Sequence, residues 1–182
     1  MIALDSNILI YARRKEAPHH AEAWRLLEDL ANGAAPWAIP WPCVYEYLKV
    51  VTHRRIFDPP TDLEKALVEL DSLFKSPSLT LLGEGPTHPS HLHAAVAAGR
   101  ATGNLAHDAH IAALVVEHGV RELWTADRDF ARFVGLRIRN PFEKTQLGEP
   151  AAIYRTRIGP GRGMRGVKAA RGARRARAGR RG

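Results

Sequence analysis

Apolar residues follow two rhythms along this chain. Short, almost unbroken runs occur at Ile2-Ala3-Leu4, at Trp37-Ala38-Ile39 between Pro36 and Pro40, and at Leu79-Thr80-Leu81-Leu82. Further runs lie at 122–125 and 136–139. Runs of this length, bounded by proline, glycine or polar residues, predict buried strands. Between them the spacing changes to that of helices. Ala23, Leu26, Leu27 and Leu30 predict a helix over 19–31 that Asn32-Gly33 stops. Val44, Tyr47, Leu48 and Val51 predict another from about Pro42, with Glu46 on its flank. Leu63, Ala66, Leu67, Leu70 and Phe74 predict a third, capped by Thr61 and running to about Lys75. Helices are also expected after a Ser6-Asn7 cap, over 90–101 and over 106–118, with one turn at 129–133. Strands alternating with helices predict an α/β domain with a mainly parallel sheet.

This pattern gives some carboxylates a special place. Asp5 and Asp127 each follow the apolar body of a predicted strand. In a parallel sheet both would lie at the carboxyl edge, where open α/β sheets bind ligands. Asp108 opens a predicted helix and shares a face with Ile111, Ala112 and Val115, so it is aligned with a buried stripe. Glu46 is less constrained, because Lys49 lies near the same face. Carboxylates gathered together repel and tend to hold protons unless a cation neutralises them. A hard divalent ion such as Mg²⁺ or Mn²⁺ suits an all-oxygen site. Taken singly, each has an ordinary explanation: a turn or helix cap for the aspartates, a solvated helix position for Glu46.

Composition narrows the classes. The 182 residues fit one domain, 45% apolar and 25% charged, as in ordinary globular proteins. Cys43 is the sole cysteine, which leaves no internal disulfide or thiolate cluster and suits a reducing, cytoplasmic setting. Met1-Ile2-Ala3-Leu4-Asp5 lacks the basic lead of a signal peptide, and no apolar run approaches the ~20 residues of a membrane helix. The net charge of +8 is unevenly distributed. All 19 acidic residues lie at or before Glu149, whereas 155–182 hold 11 of the 27 Lys and Arg. That leaves 16 basic against 19 acidic residues upstream, a net of −3. The expected division is a domain over 1–147 and a basic Arg/Gly/Ala-rich tail over 148–182. The tail's composition predicts disorder in isolation, with salt-sensitive affinity for phosphates as its functional reading.

The motifs carry more information together than singly. Ile2-Ala3-Leu4-Asp5-Ser6-Asn7, Glu46 on a helix, Leu105-Ala106-His107-Asp108-Ala109 and Thr125-Ala126-Asp127-Arg128-Asp129-Phe130 resemble the PIN-domain family. More narrowly the chain resembles the VapC-type toxins of bacterial toxin–antitoxin pairs, and Arg139-Asn140-Pro141-Phe142 resembles the ending of one subgroup. The resemblance spans about 1–145. It implies a three-layer α/β/α sandwich and Mg²⁺- or Mn²⁺-dependent RNA cleavage by activated water, leaving 5′-phosphate and 3′-hydroxyl ends. It carries an acidic quartet onto Asp5, Glu46, Asp108 and Asp127, with Asn7, Thr125 and Asp129 in support. It also implies a homodimer and an antitoxin protein as partner.

Two other readings have specific marks. His107-Asp108, with His88, His91 and His93 upstream, fits an HD-type phosphohydrolase, a nearly all-helical class in which Asp5 would have no role. A non-catalytic PIN-like module binding RNA or protein is the other. Elsewhere, Trp24, Trp37, Trp41 and Tyr45 are expected mainly in the core, and Arg13 and Arg14 either meet phosphate or face solvent. His110 and His118 are expected at the surface or at an interface.

Overall fold

The computed structural model describes residues 1–143. Its elements follow the order β1 (Ile2–Leu4), α1 (Ser6–Arg13), α2 (His20–Asn32), β2 (Trp37–Pro40), α3 (Trp41–Val51), α4 (Leu63–Phe74), β3 (Leu79–Leu82), α5 (His88–Gly99), α6 (Leu105–Glu117), β4 (Glu122–Trp124), a 3₁₀ turn (Arg128–Arg132) and β5 (Ile138–Arg139). The expectations for 144–147 and for the basic tail lie outside the described residues.

Among the described residues the strands form one sheet in the order β3-β2-β1-β4-β5, every pairing parallel. The two crossovers that lead from β1 to β3 move one way and carry α1–α4. The return from β3 to β4 moves the other way and carries α5 and α6. Right-handed crossovers therefore put the two helix sets on opposite faces, the three-layer arrangement. The reversal falls between β1 and β4, where the register pairs Ala3 with Leu123 and Leu4 with Trp124. The crevice beyond their carboxyl ends is the ligand position of such sheets.

The core explains why the runs are so apolar. Ala3, Leu4, Ile8, Leu9, Trp37, Ile39, Ile111, Leu114 and Leu123 are fully buried, as strands covered on both faces require. Trp37 is thus core as expected, whereas Trp24 and Tyr45 are exposed.

Local differences from the sequence reading have local causes. Asp5, rather than Ser6-Asn7, caps α1 by accepting from the Ser6 amide. Asp62 replaces Thr61 as the cap of α4, taking the Glu64 and Lys65 amides, while the Thr61 hydroxyl accepts from Arg14 Nη1 at 2.7 Å. Helix α5 starts two residues early because Pro89 is tolerated in a first turn, where its missing N–H has no helical partner. Strand β5 is shortened to two residues. Among the described residues no helix is long and apolar enough to cross a membrane.

Candidate active site

Asp5 stands at the end of the central strand and is only 4% exposed. Its backbone amide continues the sheet by donating to the Trp124 carbonyl at 3.1 Å, which sets it beside the residue after β4. That residue is Thr125, 2% exposed. The Thr125 hydroxyl donates to Asp5 Oδ2 at 2.7 Å and accepts from Asn7 Nδ2 at 2.9 Å and from the Asp127 amide at 2.9 Å. Asn7 Nδ2 also donates to Asp5 Oδ2 at 2.6 Å, and Asn7 Oδ1 accepts from the Ala126 amide at 3.3 Å. Sheet register thus becomes a fixed carboxylate. Pairing of β1 with β4 brings two chain segments together, and one hydroxyl and one amide lock them.

On its other oxygen Asp5 accepts from the Ser6 amide at 2.7 Å. The Ser6 hydroxyl lies 3.3 Å from Asp5 Oδ1 and donates to Glu46 Oε2 at 2.8 Å, bringing α3 to the same place. Glu46 Oε2 in turn lies 3.4 Å from His107 Nε2, an ion pair without hydrogen-bond geometry, in the first turn of α6. The next residue, Asp108, is 3% exposed. Asp5, Glu46, Asn7 and Thr125 are therefore one connected group. Asp127 joins it through its amide, while its carboxylate accepts from the Asp129 amide at 2.9 Å and caps the 3₁₀ turn. The Asp129 carboxylate lies 3.5 Å from Arg132 Nη2.

The electrostatics match this crowding. Burial, then repulsion from Glu46, pushes the Asp5 carboxyl up to about 7, with Asp127 adding to the rise against the hydrogen bonds from Thr125 and Ser6. Burial would also raise Glu46, but His107 and the Ser6 hydroxyl outweigh it and hold Glu46 below its ordinary value. His107 is raised reciprocally, by Glu46 first, then against burial by the charges of Asp108 and Asp5. Tyr11, buried in α1, is pushed up to about 12 by burial and by Asp5 and Asp127. Buried Cys43 Sγ lies 3.8 Å from Asp5 Oδ1, and burial followed by repulsion from Asp5 raises its thiol further.

A carboxylate whose pKa is raised by burial and by anionic neighbours fits a divalent cation, and the carboxylates here offer oxygen donors. The expected quartet is Asp5, Glu46, Asp108 and Asp127, of which hydrogen bonds connect Asp5, Glu46 and the Asp127 amide, while Asp108 is buried in the first turn of α6. The carboxylates are not drawn into a tight cage, however. Among the described residues the three His, Cys, Asp or Glu ligand atoms within 4.8 Å of one another belong to Glu84, His88 and His110, not to these four.

Sequence reasoning overlooks Ser6, which looks like a cap but links two carboxylates. It marks His107 only as half of an HD pair, whereas the structure makes it the partner of Glu46. The HD alternative is corrected by the fold itself, a five-stranded parallel sheet rather than a helical bundle. Arg14 is taken up by Thr61, the Pro59 carbonyl and Glu16, and Arg13 stacks over Trp24 at 5.0 Å.

The PIN domain model matches residues 2–136, three quarters of the chain. Ribonuclease VapC43 of Mycobacterium tuberculosis is 37% identical over 143 residues, covering 79% of this chain and 97% of that protein. Ribonuclease VapC48 of the same species is 33% identical over 138 residues, covering 76% and 95%. The fold is similar to that in the crystal structure of VapBC2 from Rickettsia felis bound to a promoter DNA fragment, with a TM-score of 0.57, 21% identity and coverage of 77% and 98%.

Proposed function

Because the chain belongs to the PIN-domain family, matched over 2–136 and 37% identical to a VapC ribonuclease, we propose that it is an endoribonuclease of the VapC toxin kind. It cleaves RNA phosphodiesters in the crevice beyond β1 and β4, using Mg²⁺ or Mn²⁺. The observation that carries this reading is Asp5: buried, raised to about 7, and linked through Ser6 to Glu46 and through Thr125 to the Asp127 amide.

Asp5, Glu46, Asp108 and Asp127 would hold the ion, which when bound activates water and offsets charge on the phosphoryl group. The remaining work falls to the chain's own groups. Thr125 and Asn7 fix the orientation of Asp5, so its carboxylate is held without a rotamer search. Ser6 sets the spacing between Asp5 and Glu46. His107 keeps Glu46 anionic, so that a second carboxylate stays charged beside a protonatable first one. The dense hydrogen bonding around Asp5 is the outer support that metal-ligating carboxylates need. No histidine is required as general base.

The reading extends to an antitoxin protein as the silencing partner, to a homodimer, and to action in the cytoplasm, where RNA is available. A small adjacent reading frame encoding a DNA-binding protein that co-purifies with this chain would support the toxin role.

The decisive experiment is RNA cleavage by the purified full chain with Mg²⁺ or Mn²⁺, with excess EDTA, and with Asp5→Asn. Cleavage should require the ion and vanish in a folded Asp5→Asn variant. Undiminished cleavage by that variant sinks the assignment. RNA binding without cleavage under every condition points to the non-catalytic module instead.

A further inference from the structure

A second group of ligating side chains lies away from the carboxylates. Glu84 follows β3, His88 opens α5, and His110 lies midway along α6. One ligand atom from each is within 4.8 Å of the other two. The two imidazoles approach edge-on, with centroids 5.0 Å apart at 63°, and His110 Nε2 is 3.1 Å from Glu84 Oε1.

His88 decides between two independent ion pairs and a shared site. Its side chain is 6% exposed, and Nδ1 lies 2.9 Å from Glu117 Oε2. Glu117 is itself anchored, its Oε1 accepting from the Thr87 hydroxyl at 3.0 Å. A carboxylate at Nδ1 fixes that nitrogen as the donor and leaves Nε2 with its lone pair. Nε2 is buried and has no hydrogen-bond partner. A buried imidazole held by a carboxylate on one nitrogen and unpartnered on the other is the arrangement of a metal-ligating histidine. A structural histidine would have both nitrogens satisfied.

We propose that Glu84, His88 and His110 form a binding site for a borderline divalent transition metal, of which Zn²⁺ is the representative. Two imidazoles and one carboxylate select such an ion over Mg²⁺, which prefers oxygen donors. The chain then has two cation sites of different chemistry, one all-oxygen at the β1–β4 crevice and one nitrogen-rich at the α5–α6 pair. The second ion ties the segment after β3 to both helices. Glu84 and His110 also line a cleft of about 330 Å³ that contains His107, three residues before His110 on the same face of α6. The clamp therefore holds the face of α6 from which His107 reaches Glu46.

Zn²⁺ titration of the metal-stripped full chain against a chromophoric chelator tests this, with Co²⁺ absorption reporting the ligand field. We expect one equivalent bound in the presence of millimolar Mg²⁺, tetrahedral-type Co²⁺ bands, and a higher Tm with Zn²⁺. His110→Ala should weaken binding at least about 100-fold and Glu84→Gln about tenfold. Both residues are partly exposed, so these variants keep the test intact where His88→Gln fails to fold. Asp5→Asn should bind Zn²⁺ as the parent does. Absence of binding, binding undiminished in His110→Ala, or binding lost in Asp5→Asn and kept in His110→Ala each overturns the proposal.

Discussion

The Thr125 hydroxyl donates to Asp5 Oδ2 at 2.7 Å while accepting from Asn7 Nδ2 and from the Asp127 amide, both at 2.9 Å. One oxygen thereby joins the two strand ends on either side of the topological switch. Thr125→Val keeps the shape but leaves Asp5, Asn7 and the Asp127 amide each short of a partner. The lost donor is one that lowers Asp5, so the Asp5 carboxyl should rise further and compete less well for a cation. We expect kcat/KM for RNA to fall about 10- to 100-fold. The acidic limb of its pH profile should move to higher pH. Thr125→Ser should recover most of both, and a Val variant with an unmoved profile would show that the hydroxyl only packs.

His107 and Glu46 sit 3.4 Å apart, each shifting the other in the direction of an ion pair. Removing the imidazole in His107→Ala leaves burial to raise Glu46. Cleavage should fall by roughly three- to thirtyfold, most steeply below pH 6, as expected for loss of a supporting charge. His107→Gln should sit between the two. Complete loss of activity in His107→Ala together with a fully active Asp5→Asn would instead make His107 the essential ligand.

Much of this arrangement is written locally. The apolar runs predict all five strands, and strand-terminal placement alone marks Asp5 and Asp127. The buried stripe of α6 marks Asp108. Glu46 is different, because its role depends on α3 packing beside α1 and α6, and only family resemblance points to it. Ser6 and the Glu46–His107 pair are illegible for the same reason: their partners lie 40 and 61 residues away in sequence. Asp129 is marked only by its motif position, and one turn of 3₁₀ helix sets its carboxylate 3.5 Å from Arg132 Nη2. The Glu84, His88 and His110 cluster is hidden too, since the sequence singles out only His88 as a candidate ligand, and within a different fold.

The charge division makes the tail testable through its sequence alone. The 11 Lys and Arg of residues 155–182 face no acidic residue in that segment, so they can neutralise phosphates on single-stranded RNA, each contact contributing about 0.7 to the salt slope. Truncation after Pro150 should lower RNA affinity at low salt and flatten log K against log[salt], leaving kcat little changed. Unaltered affinity and slope would leave the tail without an RNA role.

Folding raises Asp5 from its ordinary 3.8 to about 7, which links the site to stability. Between those values the folded chain holds a proton that the unfolded chain has released, so a rise in pH favours unfolding, by up to about 1.4 kcal/mol per pH unit. The Asp5 contribution is fully present below 3.8 and lost as pH climbs through 7. Glu46, lowered on folding, acts in the opposite sense but only in the acid range, and His107 acts in the same sense only above its ordinary 6.5. In the window from about pH 5 to 6.5 His110, lowered from its ordinary 6.5 by burial and by His88, opposes Asp5, so the Asp5 contribution is read as the difference between the parent and Asp5→Asn. In metal-stripped protein the Tm of the parent should fall across that window relative to that of Asp5→Asn. Mg²⁺ or Mn²⁺ should raise the Tm more at about pH 8 than at about pH 5, because the ion must displace the Asp5 proton at the lower pH. Thermal unfolding followed by circular dichroism on both proteins, with and without the ion, measures all of this. An equal slope in the parent and in Asp5→Asn would mean that Asp5 is already ionised in the folded chain, and the crowding of carboxylates around it would then need another source of compensation.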